Sequence, residues 1–396
     1  MSFFHELNAT PSALNHPARY LLSTVILLLI SVPGWAGISL DAEDKFSVYG
    51  DFRGRLESDW DSQRSNGSER DDRTRLRIRA RVGLDYKATD NVSFGVRIRT
   101  GSDDSQQSPH ITVVDFDDNS TGDADFNFDK WYFKYSRGDF STWLSRNSLP
   151  LWKPDELIFD DDVTPAGLGL TYQVNGFTFN AGYFSNPAGM KHFSGNSGLA
   201  QIAYHADIGD SEWVFAGAVI DIDADPGNSA NDLYLEGNGE RDYTVWIGNV
   251  EAGFSAFDRP LKLNLDLFHN SKSYSASDPD EFTAFHRNET DGYVISARLG
   301  DTNESGHWQL GYFYSHMEQF AVNNSLSQDD WVRWGSATQT RASNFKGSEF
   351  RVAVGLGNNM DLVARLYIVD GIEPRSATAT DKEDGNRFRI DFNWKF

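Results

Sequence analysis

Apolar and polar residues alternate with a period of two along most of the chain. In the segment RTRLRIRARVGLDYK, residues 73–87, one face is apolar and the opposite face is basic. The apolar face includes Leu76, Ile78 and Val82, whereas the basic face carries Arg73, Arg75, Arg77, Arg79 and Arg81. Successive side chains of a β-strand point to opposite sides of the sheet, so this pattern predicts a strand with two chemically different faces.

The same alternation recurs up to the final residue and predicts about sixteen strands. We place them near 45–57, 73–87, 92–99, 126–135, 140–146, 166–173, 177–184, 199–206, 213–221, 243–254, 261–270, 292–300, 308–318, 348–356, 361–370 and 386–396. The connections are short and long in turn, and the long ones include 147–164, 185–198, 222–242, 271–291, 319–347 and 371–385. This rhythm is typical of a transmembrane β-barrel with short periplasmic turns and long extracellular loops.

Other all-β folds fit the pattern less well. A β-propeller would repeat a motif in each four-stranded blade, and no such motif occurs. An open sheet of this size would leave two unpaired edges, which a closed barrel removes. The sequence therefore predicts an all-β fold, a transmembrane antiparallel up-and-down β-barrel of about 16 strands.

Composition narrows the classes of partner and chemistry. The 396 residues carry 58 acidic against 36 basic side chains, and the net charge of −22 argues against nucleic acid as a partner. The chain has no cysteine, so it offers neither a disulfide framework nor a thiolate nucleophile. No histidine has the spacing of a metal site, and no catalytic or nucleotide-binding motif follows a strand. We expect no enzyme activity, no cofactor and no metal.

The N-terminus carries the only continuous apolar run. Residues 21–32 are apolar and are followed by Pro33, Gly34, Trp35 and Ala36. This run is too short for a membrane-spanning helix but suits a secretory signal peptide with small residues before the cut. We therefore predict a cleaved signal peptide at 1–36, a short periplasmic segment at 37–44 and a barrel at 45–396. The alternative is a buried helix of a cytosolic protein.

Several segments resemble the family of putative porins of Gram-negative bacteria. They are KFSVYGDFRGRLE, DDRTRLRIRARVGLDYKATDNVSFGVRIRTG and WKPDELIFDDDVTPAGLGLTY, together with the C-terminal Phe396. The resemblance is best over residues 45–185 and at the last strand. It implies an outer-membrane channel, a homotrimer and a role for Phe396 as the signal read by the barrel-insertion machinery. One departure is Ser145-Arg146, where such barrels often carry a Gly-Arg pair after the fifth strand.

Ten arginines lie on the face predicted to point into the barrel, and we call them the arginine wall. They are Arg53, Arg55, Arg75, Arg77, Arg79, Arg81, Arg97, Arg99, Arg387 and Arg389. The connection 147–164 supplies acids that would face this wall if the loop folds inward: Asp155, Glu156, Asp160, Asp161 and Asp162. Opposed charges would then form a constriction that sets selectivity. The alternative is an external loop, with the arginines neutralised by neighbours such as Asp51 and Asp85.

These features favour passive transport over catalysis. A barrel of sixteen strands is wide enough to enclose water, so we expect a channel for small hydrophilic solutes and ions. Focusing of the field by the arginine wall predicts weak anion preference, or near neutrality if the loop acids oppose it. The alternatives are a substrate-selective channel for small anions or carboxylates, and a secreted β-rich adhesin or structural surface protein. Outer-membrane lipid and lipopolysaccharide are the other expected partners.

Overall fold

The computed structural model describes residues 38–41, 43–122, 124–277, 280–333 and 342–396. Within these residues the fold is almost entirely β-structure, and sixteen long strands form the barrel. They are β1 Phe46–Trp60, β2 Arg73–Lys87, β3 Val92–Thr100, β4 Phe126–Arg137, β5 Phe140–Arg146, β6 Ala166–Val174, β7 Phe177–Ala188, β8 His192–Ile208, β9 Ser211–Asp223, β10 Tyr243–Ala256, β11 Arg259–Asn270, β12 Asp291–Gly300, β13 Trp308–Met317, β14 Phe345–Gly357, β15 Met360–Gly371 and β16 Asp384–Lys395.

Each strand pairs antiparallel with the next, and the last strand pairs with the first. The closing seam joins β1 to β16 with Arg55 opposite Asp391 and Leu56 opposite Ile390. The sheet is therefore closed and antiparallel, which confirms the predicted barrel of about 16 strands. Closure gives every barrel strand a neighbour on both sides, as the backbone requires in a non-polar surrounding.

The remaining elements are short. Two-residue or five-residue extended segments lie at Ile38–Ser39, Ser62–Gln63, Glu69–Arg70 and Ile111–Asp115. Two 3₁₀ turns, Ser229–Leu233 and Leu235–Glu240, and one short helix, α1 Glu281–His286, lie in the long loops. Among the described residues, no helix has the length and apolar character needed to cross a membrane.

The outer surface of the barrel is apolar because the alternating faces of the strands separate as predicted. Val82 and Leu84 of β2 remain exposed, as do Phe94, Val96 and Ile98 of β3. The same outward exposure of large apolar side chains recurs around the barrel up to β15. A closed barrel with such a band presents a surface suited to hydrocarbon rather than to water.

The loops at one end are longer than those at the other, with one exception that corrects the sequence analysis. The predicted long connection 185–198 is mostly strand, because β7 continues to Ala188 and β8 begins at His192. Its Gly, Ser, Asn and Pro residues resemble a loop in composition, yet the two strands stay paired around an irregularity between Ser185 and Pro187. The hairpin tip is confined to residues 189–191.

Two of the long loops, 147–165 and the described parts of 318–344 (318–333 and 342–344), lie inside the barrel and share an apolar core. The 147–165 loop contributes Leu157, Phe159 and Val163, and the 318–344 loop contributes Phe320 and Trp331, all of them buried. These side chains pack against one another and against inward-facing residues of the strands. The predicted signal peptide, residues 1–36, lies outside the described residues and stays a prediction.

Candidate functional site

The arginine wall is assembled by the pairing of β1 with its neighbours. Arg53 lies opposite Arg79 and Arg55 lies opposite Arg77 on β2, while Arg81 lies opposite Arg99 on β3. Arg387 and Arg389 on β16 extend the wall across the seam. Many of these side chains are buried rather than exposed to water, and the buried ones are Arg55, Arg79, Arg97, Arg99, Arg387 and Arg389.

Among the carboxylates on the barrel strands, Glu57 of β1 contacts the largest number of wall arginines. Its oxygen Oε2 lies 2.7 Å from Nη2 of Arg389 and 3.6 Å from Nη1 of Arg77, and Arg75 contacts the other oxygen. The Glu57 side chain is completely buried. A buried carboxylate is stable only when cations and hydrogen bonds surround it, and the wall supplies both.

Two further carboxylates on the seam strands pair with wall arginines, and one of them, Asp59, also pairs with Arg73 at 2.8 Å. Nε of Arg55 is 2.6 Å from Oδ1 of Asp391, and Nε of Arg387 is 2.6 Å from Oδ1 of Asp59. All four side chains of these two pairs are buried. The positive charges of Arg55 and Arg387 are therefore neutralised by carboxylates on the strands, which weakens the field of these arginines in the lumen.

Arg97 is paired through a β-bulge. The register between β3 and β4 shifts between Arg97 and Ile98, which turns the extra residue Asp129 toward the arginine. Both Asp129 oxygens accept hydrogen bonds from Nε of Arg97, at 3.0 and 3.1 Å. The bulge thus explains why Asp129, which the sequence analysis assigned to neither face, lies on the inner face of the barrel.

The 318–344 loop places one carboxylate among the wall arginines. Oδ1 of Asp330 is 2.5 Å from Nη1 of Arg389 and 3.3 Å from Nη1 of Arg55. Nη1 of Arg387 donates a 2.8 Å hydrogen bond to the backbone carbonyl of the same residue, and Arg365 lies at 3.9 Å. Burial opposes ionisation of Asp330, but the guanidinium groups of Arg389 and Arg55 outweigh it and hold its pKa well below the usual range.

The 147–165 loop is attached to the wall in the same way by Asp162. One of its oxygens is 2.5 Å from Nη1 of Arg81, and the other is 3.4 Å from Nη1 of Arg79. Asp51 also pairs with Arg79 at 2.8 Å and with Arg81 at 2.6 Å. Burial disfavours the charged form of Asp162, but Arg79 and Arg81 lower its pKa to about 2. Asp85 instead accepts a 2.8 Å hydrogen bond from the hydroxyl of Tyr132.

The other loop acids do not contact the wall. Burial and the charge of Asp162 raise the pKa of Asp160 well above its usual value, and burial also raises the pKa of Asp155. Asp161 pairs with Lys153 at 2.6 Å. Glu156 makes no hydrogen bond or ion pair with any described residue. Burial, followed by the charge of Asp161, raises its pKa.

Arg53 differs from the rest of the wall because it is only partly buried and has no carboxylate partner among the described residues, whereas Arg99, which also lacks one, is buried. Nε of Arg53 donates a 2.7 Å hydrogen bond to Oδ1 of Asn393. Arg79 and Arg55 lie on either side of Arg53 as further positive charges. Arg53 is therefore the wall residue with the most uncompensated charge next to the lumen.

The junction after β5 explains the Ser-Arg departure in the sequence. Ser145 has a φ of 95°, in the region that favours glycine. Nε of the next residue, Arg146, donates a 2.8 Å hydrogen bond to the carbonyl of Thr164 at the other end of the loop. The chain thus keeps the turn that directs the 147–165 loop into the barrel, at the cost of some backbone strain.

The opposite half of the inner wall is apolar instead of basic. Inward-facing residues of β9 to β15 near the long-loop end are buried against the two inner loops: Ile220, Ile222, Tyr243, Val245, Ile247, Phe268, Val294, Phe313, Phe345 and Val369. Below them lie polar and charged groups such as Asn249, Glu251 and Asp266, and Gln201 of β8 exchanges hydrogen bonds of 2.7 Å with the backbone N and O of Trp152. We call this region the apolar half.

Phe396 lies at the closing seam. Its backbone N and O exchange hydrogen bonds of 3.0 and 2.9 Å with Gly50. A Cβ atom at position 50 would lie 2.6 Å from the Phe396 ring, so the glycine makes room for it. Its role as an insertion signal stays a prediction.

Sequence reasoning missed two groups of functional residues. Glu57 and Asp59 follow Arg53 and Arg55 with the same period of two, so the pattern of β1 already placed them on the inner face. Asp330 had no such signal, because it lies in a loop without periodicity, 275 positions away from Arg55.

The fold and the wall define a transmembrane β-barrel of the outer-membrane type. Residues 64–196 match the model of a family described as Putative porin, which confirms the resemblance over that part of the chain. A search of curated proteins finds no match.

Solved structures of porins share the fold. OprB of Pseudomonas putida is 12% identical with a TM-score of 0.55, covering 89% of this chain and 94% of its own. OmpT of Vibrio cholerae is 13% identical with a TM-score of 0.50, covering 91% and 100%. A triple mutant of the Rhodopseudomonas blastica porin is 11% identical with a TM-score of 0.50, covering 89% and 100%. The chain therefore has the porin fold, a closed antiparallel β-barrel.

Proposed function

We propose that the protein is a porin, a water-filled channel through which small hydrophilic solutes and ions diffuse passively. The observation that carries the proposal is a closed barrel with an apolar outer face and charged groups on its inner face. The two inner loops narrow the passage, so we propose a small conductance and a low size limit. The expected homotrimer and contacts with lipopolysaccharide stay predictions.

Reconstitution in planar bilayers and in liposomes tests this function. A folded sample, identified by its heat-modifiable migration on a gel, should give discrete conductance steps. Liposomes containing it should swell in neutral sugars at rates that fall with sugar size. A folded barrel that neither conducts ions nor admits the smallest sugars would contradict the proposal.

The second candidate is a channel selective for small anions, and it is favoured by Arg53. Arg53 has no carboxylate partner among the described residues and is only partly buried, and its Nε is bound by the neutral amide of Asn393. The uncompensated charge next to the passage is therefore positive, which attracts anions.

Two matched variants test the role of Arg53. Arg53→Gln should shift the reversal potential in a salt gradient toward cations. Arg97→Gln removes the same charge from the inner face, but Arg97 is buried and held by both oxygens of Asp129. Equal shifts in the two variants would contradict a special role for Arg53.

A further inference from the structure

The barrel wall has a notch where the 147–165 loop leaves it. β5 pairs with β4 only from Trp131 onward, so residues 126–130 of β4 extend beyond their neighbour on that side. β6 pairs with β7 only as far as Ser185, so residues 186–188 of β7 also extend beyond theirs. We call the gap between these two strand ends the wall notch. It holds a groove of about 430 Å³.

The notch opens outward, toward the membrane side of the wall. Its sides include Phe126, Phe128 and Phe193, which are 65%, 56% and 59% exposed. The notch lies at the end of the barrel that carries the long loops, since residues 101–125 precede β4 and residues 189–191 follow β7. Exposed rings at this level suit contact with the acyl chains of the outer leaflet.

The floor of the notch is positively charged. Arg146 is 5% exposed and lines the groove, with its guanidinium group 5.0 Å from the centre of the Trp131 ring. Arg99 lies directly behind it, and both arginines contact the sulfur of Met190, at 2.9 and 3.7 Å. Their hydrogen bonds go to backbone carbonyls, and neither has a carboxylate partner among the described residues.

This contrasts with the paired arginines elsewhere in the wall. Arg55 and Arg97 are also buried, yet each contacts a carboxylate within 3 Å. A buried guanidinium without a counter-ion is costly, so two of them side by side favour an anion from outside the chain. Lys191 and His192 at the rim add exposed basic groups, although Lys191 already pairs with Asp103.

We propose that the wall notch binds a phosphate-bearing acyl lipid of the outer leaflet. The phosphate faces Arg146 and the rim residues Lys191 and His192, where charge-assisted hydrogen bonds are strongest. The acyl chain lies along Phe126, Phe128 and Phe193. This inference rests on the membrane location of the barrel and does not require that the barrel conduct solutes, so a negative conductance experiment would leave it standing.

Native mass spectrometry of the purified barrel can test the site. The probes are phosphatidic acid, phosphatidylcholine with the same chains, and inorganic phosphate. Lys191→Glu places a negative charge at the rim of the notch. Lys346→Glu is the matched control, because Lys346 is also exposed at the long-loop end of a strand but on β14. Arg146→Gln removes the charge of the floor in a second variant, used only if it keeps heat-modifiable migration.

We expect phosphatidic acid to bind the wild-type protein in preference to phosphatidylcholine. Lys191→Glu should weaken that binding by about tenfold, while Lys346→Glu leaves it unchanged. Equal binding of the two lipids would overturn the proposal, as would binding of inorganic phosphate alone at the same site. A change in subunit number with unchanged lipid affinity in Lys191→Glu would also overturn it, since a second copy would then cover the notch.

Discussion

The two halves of the inner wall hold the inner loops by different means. On the arginine wall, each loop is attached by one carboxylate, Asp162 or Asp330, bound by two or more arginines. In the apolar half, the same loops are packed by side chains such as Phe320 and Trp331. Ion pairs fix the orientation and position of each loop, whereas apolar packing supplies most of the free energy that favours burial of the loops. The arginine wall therefore serves as an attachment surface for the loops as well as a charged lining.

Breaking the attachment of Asp330 should have the largest effect. Asp330→Asn leaves Arg55 and Arg389 without one of their carboxylates in a buried place, so the free energy of unfolding should fall by roughly 3–5 kcal/mol. Denaturant titration of the barrel in detergent measures it, and limited proteolysis reports release of the 318–344 loop. Asp161→Asn is the control, because its exposed pair with Lys153 contributes at most about 1 kcal/mol. Equal losses in both variants would show that Asp330 does not anchor the loop.

Removing a ring from the apolar half should have the next largest effect. Phe320 is completely buried, with its ring centre 4.9 Å from that of Tyr274. Phe320→Ala leaves a cavity and should cost about 3 kcal/mol in the same titration. Phe350→Ala is the control, because Phe350 is 48% exposed on the outer face. A loss below that of the control would mean that the arginine wall alone holds the loop.

The attachment of the 318–344 loop should weaken as pH rises through the mildly acidic range. Burial and the charge of Asp330 raise the pKa of Asp329 from 3.8 to about 7. The folded state thus holds this proton more tightly than the unfolded state, so its contribution to stability is complete below about 4 and lost by about 7. Hydrogen exchange of residues 318–333 at several pH values measures this.

Asp329→Asn should flatten that pH dependence, because the amide does not titrate. Asp160, whose pKa is also raised by burial and by Asp162, contributes a slope of the same sign that remains in the variant. The lowered pKa values of Asp162 and Asp330 act only below about 4 and do not enter this window. An unchanged slope in Asp329→Asn would assign the effect to another group.

The smallest expected effect is a gain. Ser145 has a φ of 95° where the chain enters the 147–165 loop, and a non-glycine residue in this region is strained by about 1 kcal/mol or more. Ser145→Gly should raise the free energy of unfolding by about that amount, partly offset by the flexibility of glycine in the unfolded chain. The same titration measures the gain. A loss of stability would mean that the serine side chain supports the turn.

Strand periodicity made most of the fold predictable from the sequence. All sixteen strands lie where the alternation placed them, because a barrel wall separates two solvents and each residue must suit one side. The error at 185–198 arose because the Gly, Ser, Asn and Pro residues of this hairpin leave neither of its faces consistently apolar. In this hairpin the polar amino-acid composition indicates contact with water, but it does not indicate whether the two strands pair.

The candidate site was only half predictable. The sequence shows the arginines as one face of several strands and the acids of the 147–165 loop as a cluster. Which arginine lacks a carboxylate partner, however, depends on contacts across the lumen. Asn393 rather than a carboxylate lies beside Arg53, and Asp330 comes from a distant loop. No local pattern reports such pairings, since they are set by closure and by the paths of the inner loops.

The seam between β1 and β16 also limits the order of assembly. The hydrogen bond between Arg53 and Asn393 spans 340 positions of sequence, and Phe396 itself pairs with Gly50. Contacts at such separation form late, because closing so long a stretch of chain is entropically costly. Until β16 arrives, β1 presents a free edge that could pair with another polypeptide. A newly made chain of this protein therefore needs a chaperone from its synthesis until β16 pairs with β1 and closes the barrel.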